Sequence, residues 1–217
     1  MITSSIKGLD YIVSYDKNVT AGTAKAKISG IGEYGGQKTI SFTIQKKSLK
    51  ADQADITLRL SDPTEKLIYT GIDQKPDVIV TYRGTKLTPG TDYTVKYTNN
   101  VKAGEGEDGN KKSPTVTITG KGNYTGSRSI VFSIGQRSLH EDEIKVVVSP
   151  AKYNKGKPVK AAVKITDGKK TLKAGTDYTV DYKNNTAPVV EDAPTAVITG
   201  KGNYTGVINK IFTIYVK

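Results

Sequence analysis

The chain has 217 residues, 35% of them hydrophobic, enough to bury the core of one or two domains. It contains no Cys, which excludes disulfides, thiolate metal sites and thiol nucleophiles. Its formal net charge of +12 is carried by Lys, because only four of its 33 basic residues are Arg (Arg59, Arg83, Arg128 and Arg137). Lys spread evenly along a chain reads as solvated faces. Specific nucleic-acid readout favours clustered, planar Arg, so no specific nucleic-acid partner is expected.

In chain order, the first apolar alternation follows Gly8-Leu9-Asp10-Tyr11, and the first segment closes on Phe42-Thr43-Ile44. Strands are predicted next at 56–60 and 78–82. In the phrase that follows, Tyr93, Val95 and Tyr97 share one face and Asp92, Thr94 and Lys96 the other. Val116 and Ile118 alternate with threonines, and Phe132-Ser133-Ile134 forms a short closing strand. The pattern then restarts, with strands predicted at 144–148 and 159–165, Tyr178/Val180/Tyr182 on one face, Ala196 and Ile198 inward, and Phe212-Thr213-Ile214 at the end. No window shows helical spacing. No apolar run reaches the roughly 18–20 residues of a membrane-spanning helix, so no membrane insertion is expected. The opening MITSSIKGLDYIV lacks the apolar region of a signal peptide, which makes the chain, if exported, an internal segment of a longer protein.

The alternation is organised as a repeat. Gly90-Thr91-Asp92-Tyr93-Thr94-Val95 returns at Gly175-Thr176-Asp177-Tyr178-Thr179-Val180, and Thr119-Gly120-Lys121-Gly122-Asn123-Tyr124-Thr125-Gly126 returns unchanged as Thr199 to Gly206. Residues 8–18 and Ser29-Gly30-Ile31-Gly32-Glu33-Tyr34-Gly35-Gly36 are degenerate first copies. The closing Phe residues lie 90 and 80 positions apart. These distances divide the chain into an incomplete repeat over 1–47 and full repeats over 48–137 and 138–217, joined by short polar connectors that suit a semi-rigid array. Residues 1–47 lack the forty or so residues that precede the same phrase elsewhere. Half a sandwich leaves an open core and unpaired edges, so this segment is expected to order poorly or to recruit strands from another chain.

The spacing predicts an all-β fold of tandem antiparallel immunoglobulin-like sandwiches, without the Cys and Trp of antibody domains. The motifs Gly-Thr-Asp-Tyr-Thr-Val, Gly-Lys-Gly-Asn-Tyr-Thr-Gly and Phe-x-Ile resemble the bacterial immunoglobulin-like tandem repeats of Gram-positive secreted and cell-surface proteins. That resemblance implies an extracellular, cell-surface or cell-wall location and a non-catalytic part, as a structural stalk or cell-adhesion module. It also implies an alternative, a carbohydrate-binding accessory module of a secreted surface enzyme, and host or cell-wall glycans or proteins as partners.

Residue types that carry chemistry are sparse. The sole His, His140, sits in the second connector beside Glu141, Asp142 and Glu143 and reads as a solvated linker residue. Gly104-Glu105-Gly106-Glu107-Asp108-Gly109 matches a phosphate-binding pattern, but its acids repel phosphate and no helix follows. The same loop, with Asn110, offers oxygen ligands for Ca²⁺ that the other repeats do not reproduce. The Gly-Lys-Gly triplets read as tight turns, not anion cradles. No catalytic residue, metal site or cofactor is expected. Tyr124 and Tyr204, after those turns, are the candidates for an exposed aromatic platform that stacks on a sugar ring, with packing across the end of the sandwich as the competing role.

Overall fold

The computed structural model describes residues 7–188 and 192–216, and among them every regular element is a β-strand. The chain divides into two compact units, one of Met1–Pro63, Pro76–Tyr97 and Val116–Ile130, the other of Thr64–Lys75, Thr98–Thr115 and Val131–Lys217. Residues 48–137 are thus shared between them, and each unit holds one connector with the turn it pairs to.

In the first unit, Tyr11–Asp16, Gly22–Gly30 and Gln37–Ile44 form a three-stranded antiparallel sheet, with Tyr11 opposite Gly30 and Ala24 opposite Phe42. Residues 8–44 therefore order as a sheet of their own. Ile56–Leu60, Val78–Tyr82 and Thr85–Lys86 form a second three-stranded antiparallel sheet. Its inward Ile56, Leu58 and Val80 pack with Leu87, Leu49, Tyr93 and Ile118 into one core. Alternation produces this core directly: Thr57 and Arg59 point to solvent between the buried residues, and the Thr57 and Thr81 hydroxyls bond across the strands at 2.6 Å.

The second unit repeats the plan. Ile144–Val148 pairs with Val163–Asp167, and Thr195–Gly200 pairs on one side with Tyr178–Lys183 and on the other with Val207–Ile211, all antiparallel. Ala151, Val159, Ala161, Ala196, Phe212 and Ile214 form its core cluster.

Three expected strands are displaced. The one expected at 159–165 runs instead over Val163–Asp167, because the Val159 amide donates to the Asn185 carbonyl (2.8 Å) in place of a sheet partner. The closing Phe-x-Ile strand holds only in the first copy, within Gln37–Ile44. In the others the sheet strand stops at Val131 and Ile211. The cause is Pro114 and Pro194, which accept from the Phe132 and Phe212 amides (2.9 Å each) but have no N–H to return, so the ladder ends there. Ala24 stands opposite Phe42 in the first copy and lets that ladder continue. Past the proline, Ile214–Tyr215 pairs in parallel with Ala151–Lys152.

The Gly-x-Gly-x-Tyr turn is built alike in all three copies. Gly30, Gly120 and Gly200 donate to Gly36, Gly126 and Gly206 (3.1, 2.8 and 2.9 Å), and Ile31, Lys121 and Lys201 donate to Asp10, Asp92 and Asp177 (3.0, 2.8 and 2.9 Å). The chain folds back so closely that a Cβ on Gly200 would lie 2.7 Å from the Thr205 backbone. Gly200→Ala is expected to cost about 1–3 kcal/mol, read as a lower midpoint in urea unfolding; an unchanged midpoint would contradict this backbone packing.

Candidate functional site: the turn, the connector and the clasped loop

The two exact turns each hold a connector strand. Lys47–Ser48 pairs in parallel with Tyr124–Thr125, and Arg137–Ser138 with Tyr204–Thr205. The hydrogen bonds are the same pair twice: Lys47 to Asn123 and Leu49 to Thr125 (2.9 and 2.8 Å), Arg137 to Asn203 and Leu139 to Thr205 (2.9 and 2.8 Å). This docking drives Leu49 and Leu139 into the interior, where they are 0% and 1% exposed.

On its other side the turn reaches back to the preceding repeat. The Asn123 Oδ1 accepts from the Ala21 amide (2.8 Å), and the Asn203 Oδ1 accepts from the Ala103 amide (3.0 Å). Ala21 and Ala103 occupy the same place, three residues after Asn18 and Asn100 in the two Asn-Val-x-Ala-Gly loops. Each turn therefore seats its own connector through backbone groups and clasps the previous repeat's loop through one side chain.

Polar residues surround the second connector. The Tyr204 hydroxyl donates to Asp167 Oδ2 (3.0 Å). Lys170 Nζ donates to the Tyr69 and Tyr204 hydroxyls (2.9 and 3.4 Å) and lies 5.2 and 5.3 Å from their ring centres. The two rings meet edge to face at 5.5 Å. Arg137 pairs with Glu143 (3.0 Å), and its buried Nε lies 3.4 Å from Asp167 Oδ1, an ionic contact without hydrogen-bond alignment. Burial, then the bond to Asp167, pushes the Tyr204 hydroxyl up to about 12. Burial opposes the Lys170 ammonium, but its bonds to Tyr69 and Tyr204 prevail and raise its pKa.

The first connector has the same ingredients in a more open setting. Lys47 Nζ and Arg83 Nε pair with Asp55 (3.0 and 3.5 Å) and both cations lie over the Tyr82 ring. Tyr82 meets Tyr124 edge to face at 6.2 Å. The Lys47 ammonium holds the Asp55 carboxyl below the usual carboxylate range.

The two turn tyrosines are placed differently. Tyr204 is 0% exposed, so the expected exposed platform is corrected there: its ring is packed under Lys170 and against Tyr69, and no face is open to a sugar. Tyr124 is half-buried, and Tyr34 in the degenerate copy is 49% exposed. The lysines of the Gly-Lys-Gly turns are engaged internally, Lys121 with the Gly90 carbonyl (2.6 Å) and Lys201 with that of Gly175 (2.9 Å).

In the acidic loop, Asn110 Nδ2 donates to Glu107 (3.0 Å) and Ser133 donates to Glu105 (3.2 Å), so the carboxylates serve neighbouring donors instead of converging. Among the described residues no group of three His, Cys, Asp or Glu side chains is placed to hold a metal ion. Glu191, the acid at the corresponding place in the last repeat, lies outside the described residues. His140 is exposed, its amide donating to Ser138 Oγ (3.1 Å).

The clasping asparagines are the functional residues that sequence reasoning missed. Their signal was present: Asn stands in both exact turns, Glu33 replaces it in the first, and the clasped alanines share a motif. The cluster of Tyr69, Asp167 and Lys170 had no such signal, since Asp167 stands where the other full repeat has Tyr82.

No protein-family model, curated protein or solved structure matches the chain.

Two outcomes follow. Tyr204→Phe removes a raised acid: because the folded pKa of Tyr204 lies above the unfolded value of about 10, its contribution is complete below pH 10 and lost as pH rises towards about 12. The variant is expected to lose stability at neutral pH and to show a shallower decline between pH 10 and 12 in denaturation curves; an identical alkaline decline would contradict the Asp167 bond. Asn203→Ala is expected to speed hydrogen exchange at the Ala103 amide about tenfold, the effect of losing one hydrogen bond, while the Ala21 amide is unaffected. Equal protection of Ala103 in both proteins would remove the clasp.

Proposed function

We propose that the chain is a non-catalytic modular segment of a bacterial cell-surface protein. Its repeats are immunoglobulin-like sandwiches, it sits outside the cell or in the cell wall, and it acts as a structural stalk or cell-adhesion module. The observation that supports this reading best is the twofold recurrence of one junction: connector docked on turn, turn asparagine clasping the preceding loop, with matching bonds to within 0.2 Å. A sequence that spends its most invariant phrase on joining one repeat to the next is organised for display and load-bearing. In such arrays stability is carried by each repeat and its nearest neighbour, and length is added by adding units.

The charge pattern fits the same reading. Lysines spread over the surface keep a long array soluble and draw it weakly to anionic wall material, an attraction that salt screens. The closed ring of Tyr204 counts against the turn tyrosines as a paired sugar platform.

Single-molecule pulling tests the proposal. A load-bearing array is expected to unfold in discrete steps, each releasing a few hundred ångströms of chain at about 3.5 Å per residue. Gradual lengthening at low force without discrete steps would overturn the stalk reading.

A further inference from the structure

The first sheet leaves an apolar face exposed. Its inner face, set by the register, presents Tyr11, Val13, Tyr15, Ile28, Ile40 and Phe42. Tyr15, Ile40 and Phe42 are 57%, 49% and 39% exposed, whereas Phe132 and Phe212, at the place of Phe42 in the other repeats, are 4% and 5% exposed. An exposed contiguous apolar face of this kind marks an interaction surface.

We infer that this face is a docking surface for a leading half-repeat: a three-stranded antiparallel segment that opens with basic-Ser-Leu and continues with Ile-x-Leu and Val-x-Val strands, as residues 46–89 do. Three features of the face specify that occupant.

The first is a seat for the leucine. A hollow of about 450 Å³ opens beside the first turn, lined by Tyr11, Ile28, Tyr34 and Lys38 among others. In the covered repeat the equivalents of the first three are Tyr93, Ile118 and Tyr124, and Leu49 fills the space among them. Lys38 stands where Arg128 does, and Arg128 donates to the Ile56 carbonyl at 2.8 Å. The turn that would receive the connector already has its docking shape, with Gly30, Ile31 and Tyr34 bonded as in the other two copies.

The second is a tyrosine hydroxyl. Tyr97 donates to the Pro76 carbonyl (2.7 Å) and Tyr182 to that of Ala161, each a carbonyl just ahead of a leading-half strand. Tyr15 stands in the same position and makes no such bond among the described residues. The third is an asparagine. Asn100 and Asn185 each exchange two bonds with one residue of the leading half: Asn100 with Gln74 (2.9 and 2.7 Å), Asn185 with Val159 (2.6 and 2.8 Å). Asn18, their counterpart, is exposed.

These groups ask for carbonyl acceptors and one leucine. A second copy packed through the same face would bring hydroxyl to hydroxyl and no leucine to the hollow, so a leading half-repeat is the better complement.

The test titrates a fluorescently labelled synthetic peptide of the 46–89 sequence into the intact chain. Saturable one-to-one binding is expected. It should weaken at least tenfold with Ile40→Glu in the chain or Leu49→Asp in the peptide, and persist with Ile12→Glu on the opposite face, where Ile12 is 51% exposed. Circular dichroism reports whether Ile40→Glu keeps its strands; should it unfold, Tyr15→Phe replaces it, with a three- to tenfold loss expected. No saturable binding, or equal binding by the face variants, overturns the inference. A chain that sediments as a dimer, becomes monomeric with Ile40→Glu and ignores the peptide would also overturn it, assigning the face to a second copy.

Discussion

Each junction depends on two backbone hydrogen bonds, those that dock a connector in parallel on the Asn-Tyr-Thr turn. A two-residue ladder is a small thing energetically, with each bond contributing about 1 kcal/mol net. Its consequence is larger, because it fixes where the next residue goes. Leu49 and Leu139 follow directly and are fully buried, an apolar transfer of about 1.5–3 kcal/mol each. The basic residue of each connector is delivered at the same time to its acid, Lys47 to Asp55 and Arg137 to Glu143 and Asp167. The turn accepts the connector only in the shape that Gly120 and Gly200 permit, since any side chain there meets the folded-back backbone.

The same turn also faces the preceding repeat, and this double use connects fold to proposed function. A backbone ladder on one side and a single asparagine on the other tie the placement of a repeat to the loop before it. Burial and polar contact then reinforce the geometry unequally. Around the second connector Tyr69, Tyr204, Lys170 and Asp167 form a closed network; around the first, Tyr82 lies half-exposed beneath Lys47 and Arg83 and meets the half-exposed Tyr124 at its edge. The backbone of the junction thus repeats while the side chains around it differ.

Much of the fold was legible in the sequence, for a physical reason: period-two alternation and glycine turns are local signals. Tyr93–Thr98 and Tyr178–Lys183, and the strands at Ile56–Leu60, Val78–Tyr82 and Ile144–Val148, stand where alternation placed them. The end of the closing strand was not legible, because it is decided across the sheet by Pro114 and Pro194 and not by the Phe-x-Ile residues themselves. The role of Tyr204 was half legible. Its place after the turn could be read, but its burial comes from Tyr69, far away in the chain, and from Lys170, whose place in the other full repeat is taken by Thr85. The asparagine clasps spanned 102 and 100 residues, beyond the reach of any local pattern.

The most direct test of the docking is to measure through-hydrogen-bond scalar couplings by NMR from the Leu49 and Leu139 amides. The account requires couplings to the Thr125 and Thr205 carbonyls, with both amides protected from exchange. Fast exchange at Leu49 and Leu139 with no coupling to either threonine would contradict it.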